Sequence, residues 1–218
     1  MKELYFKVNR DLPVEIAKKA KEGGIKQFIF LSSMSVYGIE KGIIKINTPL
    51  NPKSAYGKSK MLAEHLINKL QDDSFIIATL RPPLVYGKGC KGNYPILAKV
   101  ALKSIVFPKI DNKRSMIYVD NLSEFVKKVI DNEYGGTFFP QNKDYVSTSE
   151  MVIFVAEAHG KKITMTTIFN PLLKLLNVST LNKVFGDLMY DMSMSDFVSD
   201  YRVCDFRNSI MKTEGENE

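Results

Sequence analysis

The chain has 218 residues, of which 44% are hydrophobic and 25% charged, proportions that exclude a disordered or fibrous protein. Its length supports one buried core, or one core with a small appended lobe, and excludes two large domains. A formal charge of +7 and a pI near 9.2 favour anionic partners, but the lysines are dispersed. The densest groups, Lys18 to Lys21 and Lys161 to Lys162, adjoin apolar helical positions and read as solvated faces. No basic stripe interleaved with aromatics is present, so a nucleic-acid partner is not expected. Cys90 and Cys204 are the only cysteines, in no metal-ligand spacing, so neither a disulfide framework nor a metal site is expected. No apolar run reaches bilayer length, and Met1 to Asn9 lacks the plan of a signal peptide. The expectation is a cytoplasmic protein without a membrane partner.

In chain order, Leu12 to Glu22 carries apolar residues at Leu12, Ile16 and Ala20, follows Asp11 as a candidate N-cap, and ends at Gly23 and Gly24. The run Lys26 to Leu31 predicts a strand buried on both faces. Helical spacing over Pro52 to Leu70 precedes a second buried strand at Phe75 to Leu80, and strand, helix, strand implies a right-handed parallel unit. A glycine- and lysine-rich loop, Gly87 to Asn93, leads into a helical pattern over Tyr94 to Lys103. Further helices are predicted over Asn121 to Asp131 behind Asp120, and over Thr148 to His159 behind Ser147. An apolar helix-like patch spans Leu172 to Leu176, and Thr213 to Glu218 reads as a frayed acidic tail. The alternation predicts an α/β fold.

Chemistry concentrates at the predicted strand ends, where parallel sheets bind ligands. Tyr56 and Lys60 stand four apart on a helix and share a face. A neighbouring ammonium stabilises a phenolate, so the two form a candidate acid-base pair. The first strand runs into Ser32-Ser33-Met34-Ser35-Val36-Tyr37-Gly38, and the second into Leu80-Arg81-Pro82-Pro83-Leu84-Val85-Tyr86-Gly87.

These motifs in this order, followed by Arg114-Ser-Met-Ile-Tyr-Val-Asp-Asn-Leu122, resemble the NAD-dependent epimerase/dehydratase family, of the extended short-chain dehydrogenase type, and within it UDP-glucose 4-epimerase-like members. The likeness runs from about Val8 to Leu122. It continues more weakly, toward capsular-polysaccharide epimerases, through Lys183 to Asp187 and the C-terminus.

The resemblance implies a partial Rossmann-like, doubly wound parallel sheet with a small C-terminal substrate-binding lobe. Residues 1–86 would belong to the NAD-binding domain and 87–218 mainly to the lobe, with 114–140 returning to the core. It implies NAD as cofactor and a UDP-sugar or related nucleotide sugar as substrate, epimerised through a transient 4-keto intermediate, with cell-surface polysaccharide synthesis as one setting. Tyr56 would be the base and Lys60 would lower its pKa and hold the nicotinamide ribose. Ser33 would bond the reacting oxygen, Ser32, Pro82 and Val85 would meet the cofactor, and Arg114 would grip the substrate diphosphate. A homodimer is one assembly the family would allow.

The sequence departs from the family pattern at three places. Met34 stands where the related 4,6-dehydratases carry an acid, which argues against dehydration, and Leu84 replaces the expected asparagine. The opening strand, glycine-rich turn and helix that bind pyrophosphate have no counterpart, so an N-terminally shortened member is expected. Gly87-Lys-Gly-Cys-Lys-Gly92 imitates a dinucleotide fingerprint, but two prolines interrupt its strand and Asp111 sits in a lysine-flanked loop, so it reads as a lobe loop. His65 reads as structural or solvent-facing, His159 as a helix-dipole partner, and Met189, Met192 and Met194 as packing residues. Two other readings stay open: a non-catalytic remnant or binding subunit, and a nucleotide-sugar reductase or dehydrogenase.

Overall fold

The computed structural model describes residues 2–168 and 185–215. The expected patch at Leu172 to Leu176 lies outside these residues. Helix α1 (Lys2–Phe6), a π-helical turn (Lys7–Asp11) and α2 (Leu12–Glu22) follow one another without a break. Asp11 is therefore itself helical, at φ −67 and ψ −49, and its side chain caps nothing. The buried side of α2 also differs from expectation. Val14 and Ala17 enter the core while Leu12 and Ile16 stay exposed, because the helix docks on one side only and those positions lie across its axis.

Strands β1 (Gln27–Leu31), β3 (Ile76–Leu80) and β7 (Gly136–Phe138) form a parallel sheet in the order β1-β3-β7. Val14 and Ala17 of α2, with Ala63 and Ile67 of α3 (Ala55–Asn68), cover Phe30 and Ile77 on one face. Leu122, Phe125 and Val129 of α5 (Val119–Asp131) cover Ala78 and Leu80 on the other. The sheet is thus doubly wound, and the α/β expectation holds.

Strand β1 is not buried on both faces. Only Phe30 is buried and Leu31 is 47% exposed; among the described residues β1 pairs with β3 alone and its other edge is open. The Ile76 amide donates to the Lys26 carbonyl and the Ser32 amide to the Leu80 carbonyl. By that alternation the backbone groups of Gln27, Ile29 and Leu31 face the open edge.

Three two-stranded parallel pairs complete the strands: β2 (Gly42–Ile44) with β9 (Leu188–Tyr190), β4 (Leu84–Tyr86) with β6 (Met116–Tyr118), and β5 (Val106–Pro108) with β8 (Thr164–Thr166). Around β4 and β6 pack α4 (Asn93–Lys103), α6 (Thr148–Ala158) and the final helix α7 (Phe206–Glu214). Thr213 and Glu214 are therefore helical and not part of a tail. Glu214 accepts from the Tyr94 hydroxyl at 2.7 Å and pairs with His159 at 2.9 Å. Asp120 lies inside the first turn of α5, whose N-cap is Tyr118, so it meets the helix dipole without capping. Ser147 and Glu150 form a reciprocal capping box on α6.

Candidate active site

The end of β1 and the start of α3 build the centre of the site. Ser33 caps the 3-10 turn Met34–Tyr37, accepting from the Ser35 amide at 3.1 Å. Ser54 caps α3 by accepting from the Gly57 amide at 3.0 Å. A Cβ on Gly57 would lie 2.5 Å from the Ser35 carbonyl oxygen, so glycine is what lets α3 close on the serine turn. Tyr56 is thereby brought to the same cavity as Ser33.

That cavity has a volume of about 540 Å³, within the range of small-molecule sites. Ser32, Ser33, Tyr56, Pro82, Val85 and Arg114 all line it, with Met34, Leu84, Lys53, Lys91 and Asn93. Lys60 is the exception among the sequence-predicted residues. It stands beside Tyr56, its ammonium 6.0 Å from that ring and 5.0 Å from the Phe30 ring, but it donates to the Leu31 carbonyl at 2.8 Å. Burial lowers the Lys60 pKa, and the Glu64 carboxylate pulls it back in part. The lysine thus satisfies a carbonyl on the open edge of β1.

Two side chains carry unmet capacity or charge at this cavity. Ser32 is 3% exposed, and its hydroxyl has no hydrogen-bond partner among the described residues. Such a group costs free energy until a ligand or water meets it. Arg114 is not an ordinary surface charge. It sits in a bridge between Val146 and Leu188 and donates to the Gly186 carbonyl at 2.7 Å. Burial lowers its pKa and the Asp187 carboxylate opposes the shift. The start of α4, Gly92 and Asn93, lines the same cavity, and no side chain among the described residues caps that helix. A guanidinium and an uncapped helix N-terminus make an anion-favouring corner.

Beneath the cavity lies a network that sequence reading missed. Arg81 donates to both carboxylate oxygens of Glu64, the shortest bond being 2.6 Å, and to the Tyr37 hydroxyl at 2.9 Å. It ties the end of β3, helix α3 and the serine turn together. A visible signal was present: Tyr56, Lys60 and Glu64 step by four along one helical face.

The sequence profile of the NAD dependent epimerase/dehydratase family matches residues 2–139. The chain belongs to this family. Among its relatives, a UDP-glucose 4-epimerase of Vibrio cholerae is 35% identical over 170 residues, covering 72% of this chain and 51% of that protein. An N-acetyl-alpha-D-glucosaminyl-diphospho-ditrans,octacis-undecaprenol 4-epimerase of Escherichia coli is 30% identical over 177 residues, covering 78% and 53%. The chain spans about half the length of these relatives. A UDP-glucuronic acid 4-epimerase of Bacillus cereus, solved in complex with NAD, superposes with a TM-score of 0.71 at 20% identity, covering 94% of this chain and 65% of that one. A dTDP-4-dehydrorhamnose reductase of Clostridium acetobutylicum gives 0.72 at 20% identity over 97% and 73%. These two likenesses show the fold that this epimerase/dehydratase family member shares with them.

Proposed function

We propose that this chain forms the catalytic part of an NAD-dependent nucleotide-sugar epimerase of the UDP-glucose/UDP-galactose 4-epimerase type. The observation that carries the reading is the convergence of Ser33, Tyr56 and the unpartnered Ser32 hydroxyl on one cavity, with Arg114 in its wall. The cavity fits the nicotinamide end of NAD: Ser32 offers a buried hydrogen-bonding group, and Pro82 and Val85 an apolar wall. NAD, when bound, supplies a hydride acceptor that returns the hydride. Tyr56 takes the proton of the sugar hydroxyl as the carbon oxidises to a 4-keto sugar, and gives it back after the sugar turns. Lys60 favours the phenolate by its charge and Ser33 bonds the reacting oxygen. Arg114 and the start of α4 hold the diphosphate.

The substrates named for the two relatives share a sugar diphosphate, carried on uridine in one and on undecaprenol in the other. In this reading residues 1–86 and 114–140 form the cofactor-side core and the remainder mainly the substrate lobe. The free thiols Cys90 and Cys204 suit a reducing cytoplasm. Incubation with NAD and UDP-glucose, in the chain extended by a relative's nucleotide-binding half, tests the proposal by chromatography. UDP-galactose without net NADH is expected. NADH accumulating with oxidised sugar would favour the dehydrogenase reading, and no turnover the binding-subunit reading.

Two results separate the roles. Arg114→Ala is expected to raise KM about ten- to hundredfold, the loss of one charged hydrogen-bonding group. Ser33→Ala is expected to lower kcat by about 10²-fold, as for other donors at a reacting oxygen. Equal effects on KM in both variants would contradict this division. The chain by itself is expected to bind NAD weakly and to self-associate, because the open edge of β1 and the exposed Leu31 lie beside the cavity. Calorimetric titration and light scattering check this, and a monodisperse monomer binding NAD at micromolar concentration would refute it.

A further inference from the structure

The outward face of α4 carries a pattern that the proposed chemistry does not use. Tyr94, Leu97, Ala98 and Ala101 turn into the core. The opposite face presents Ile96, Lys99, Val100 and Lys103, with Ile96 61% exposed. Directly beyond the helix stand Ile105, 80% exposed, and the exposed Val106 at the start of β5. Large aliphatic side chains and lysines therefore alternate along one outward surface. Solvated helix faces do not normally gather β-branched aliphatics in this way.

The charge of the segment is of one sign. From Lys88 to Lys109 the sequence holds five lysines and no acidic residue. Helix α2, which also exposes apolar residues, mixes Glu15 and Glu22 with its lysines. A symmetric contact between two copies of the α4 face would set lysine against lysine, which is unfavourable. An anionic bilayer surface satisfies both features at once, taking the aliphatic side chains into its interface while the lysines meet lipid headgroups. No helix among the described residues is long and apolar enough to cross a membrane, so the contact is peripheral.

We propose that the face of α4 formed by Ile96, Lys99, Val100 and Lys103, with Ile105 and Val106, docks the protein on an anionic membrane surface. Gly92 and Asn93 at the start of the same helix line the cavity. Docking would therefore hold the mouth of the site at the lipid surface. The inference stands apart from the epimerase reading, since membrane binding requires neither NAD nor sugar.

The test is co-sedimentation with vesicles of phosphatidylcholine alone and with roughly one-third phosphatidylglycerol, at about 0.05 M and about 0.5 M salt. Binding to the anionic vesicles is expected to exceed binding to the neutral ones by about tenfold or more at low salt, and to fall at high salt. Two variants, Lys99→Glu with Lys103→Glu and Ile96→Glu with Val100→Glu, each alter exposed side chains and are checked for fold by circular dichroism. Each is expected to abolish sedimentation. Protein left in the supernatant, equal binding to neutral vesicles, or binding that survives both variants would overturn the proposal. So would a lipid-indifferent dimer dissolved by the aliphatic substitutions, which would assign the face to a second copy.

Discussion

Tyr56→Phe is expected to lower epimerisation by about 10²- to 10⁴-fold, the range for removing a positioned acid-base group. The change deletes one oxygen from a half-buried side chain at the cavity and leaves the ring, which packs edge-on to Tyr5 at 6.0 Å, in place. The fold should therefore be retained, and substrate binding should weaken far less than turnover. Measuring kcat and KM on the N-terminally extended form, with a thermal melt as control, separates these effects. Turnover within a few-fold of the parent would remove Tyr56 from the acid-base role.

The largest loss of stability is expected at the Arg81–Glu64 pair. Its side chains are only 13% and 4% exposed. Burial opposes the charge on Arg81, but the Glu64 carboxylate outweighs this and leaves its pKa raised. Glu64→Ala would strand the guanidinium in the interior, at a cost of about 3–5 kcal/mol. For a protein of this size that corresponds to roughly 6–20 °C in Tm. Because Arg81 joins the strand end, the serine turn and helix α3, activity should fall at temperatures where the variant is still folded. By contrast, removing the exposed partner of Lys18, Glu15, should leave the melt unchanged. A Glu64→Ala melt within two or three degrees of the parent would show that water reaches Arg81 and relieves it.

How much of this could be read from sequence depended on whether the information was local. Ser32, Ser33, Pro82 and Val85 line one cavity with Tyr56; that strand ends gather ligand-facing residues is legible locally, and so is the helical spacing of Tyr56 and Lys60, whereas the individual roles rest on the family resemblance. Arg114 came from the family motif, yet its carbonyl partner at Gly186 is 72 residues away and no pattern announces it. Leu12, Ile16 and Leu31 were misjudged for one reason. An apolar side chain shows which face prefers burial, not whether a neighbour is present to cover it. Asp11 and Asp120 do not cap because capping depends on the backbone just before the residue, which is already helical at Asp11 and turns two residues too early for Asp120. Nothing local marks Glu64 as buried; only the approach of Arg81, 17 residues on, makes it an interior residue.

The anchoring of α7 has a consequence for how the molecule comes into being. The Tyr86 hydroxyl bonds Ser209 at 2.6 Å across 123 residues of chain, and Tyr94 meets Glu214 across 120. Contacts of such sequence separation are slow to form, because a long loop must close before they contribute. During synthesis the unit built on β4 and α4 must therefore wait, its tyrosine hydroxyls still in water, until α7 has left the ribosome. The unit that holds the anion-favouring corner thus matures after α2, α3, β1 and β3, which can assemble from contiguous sequence before α7 is made.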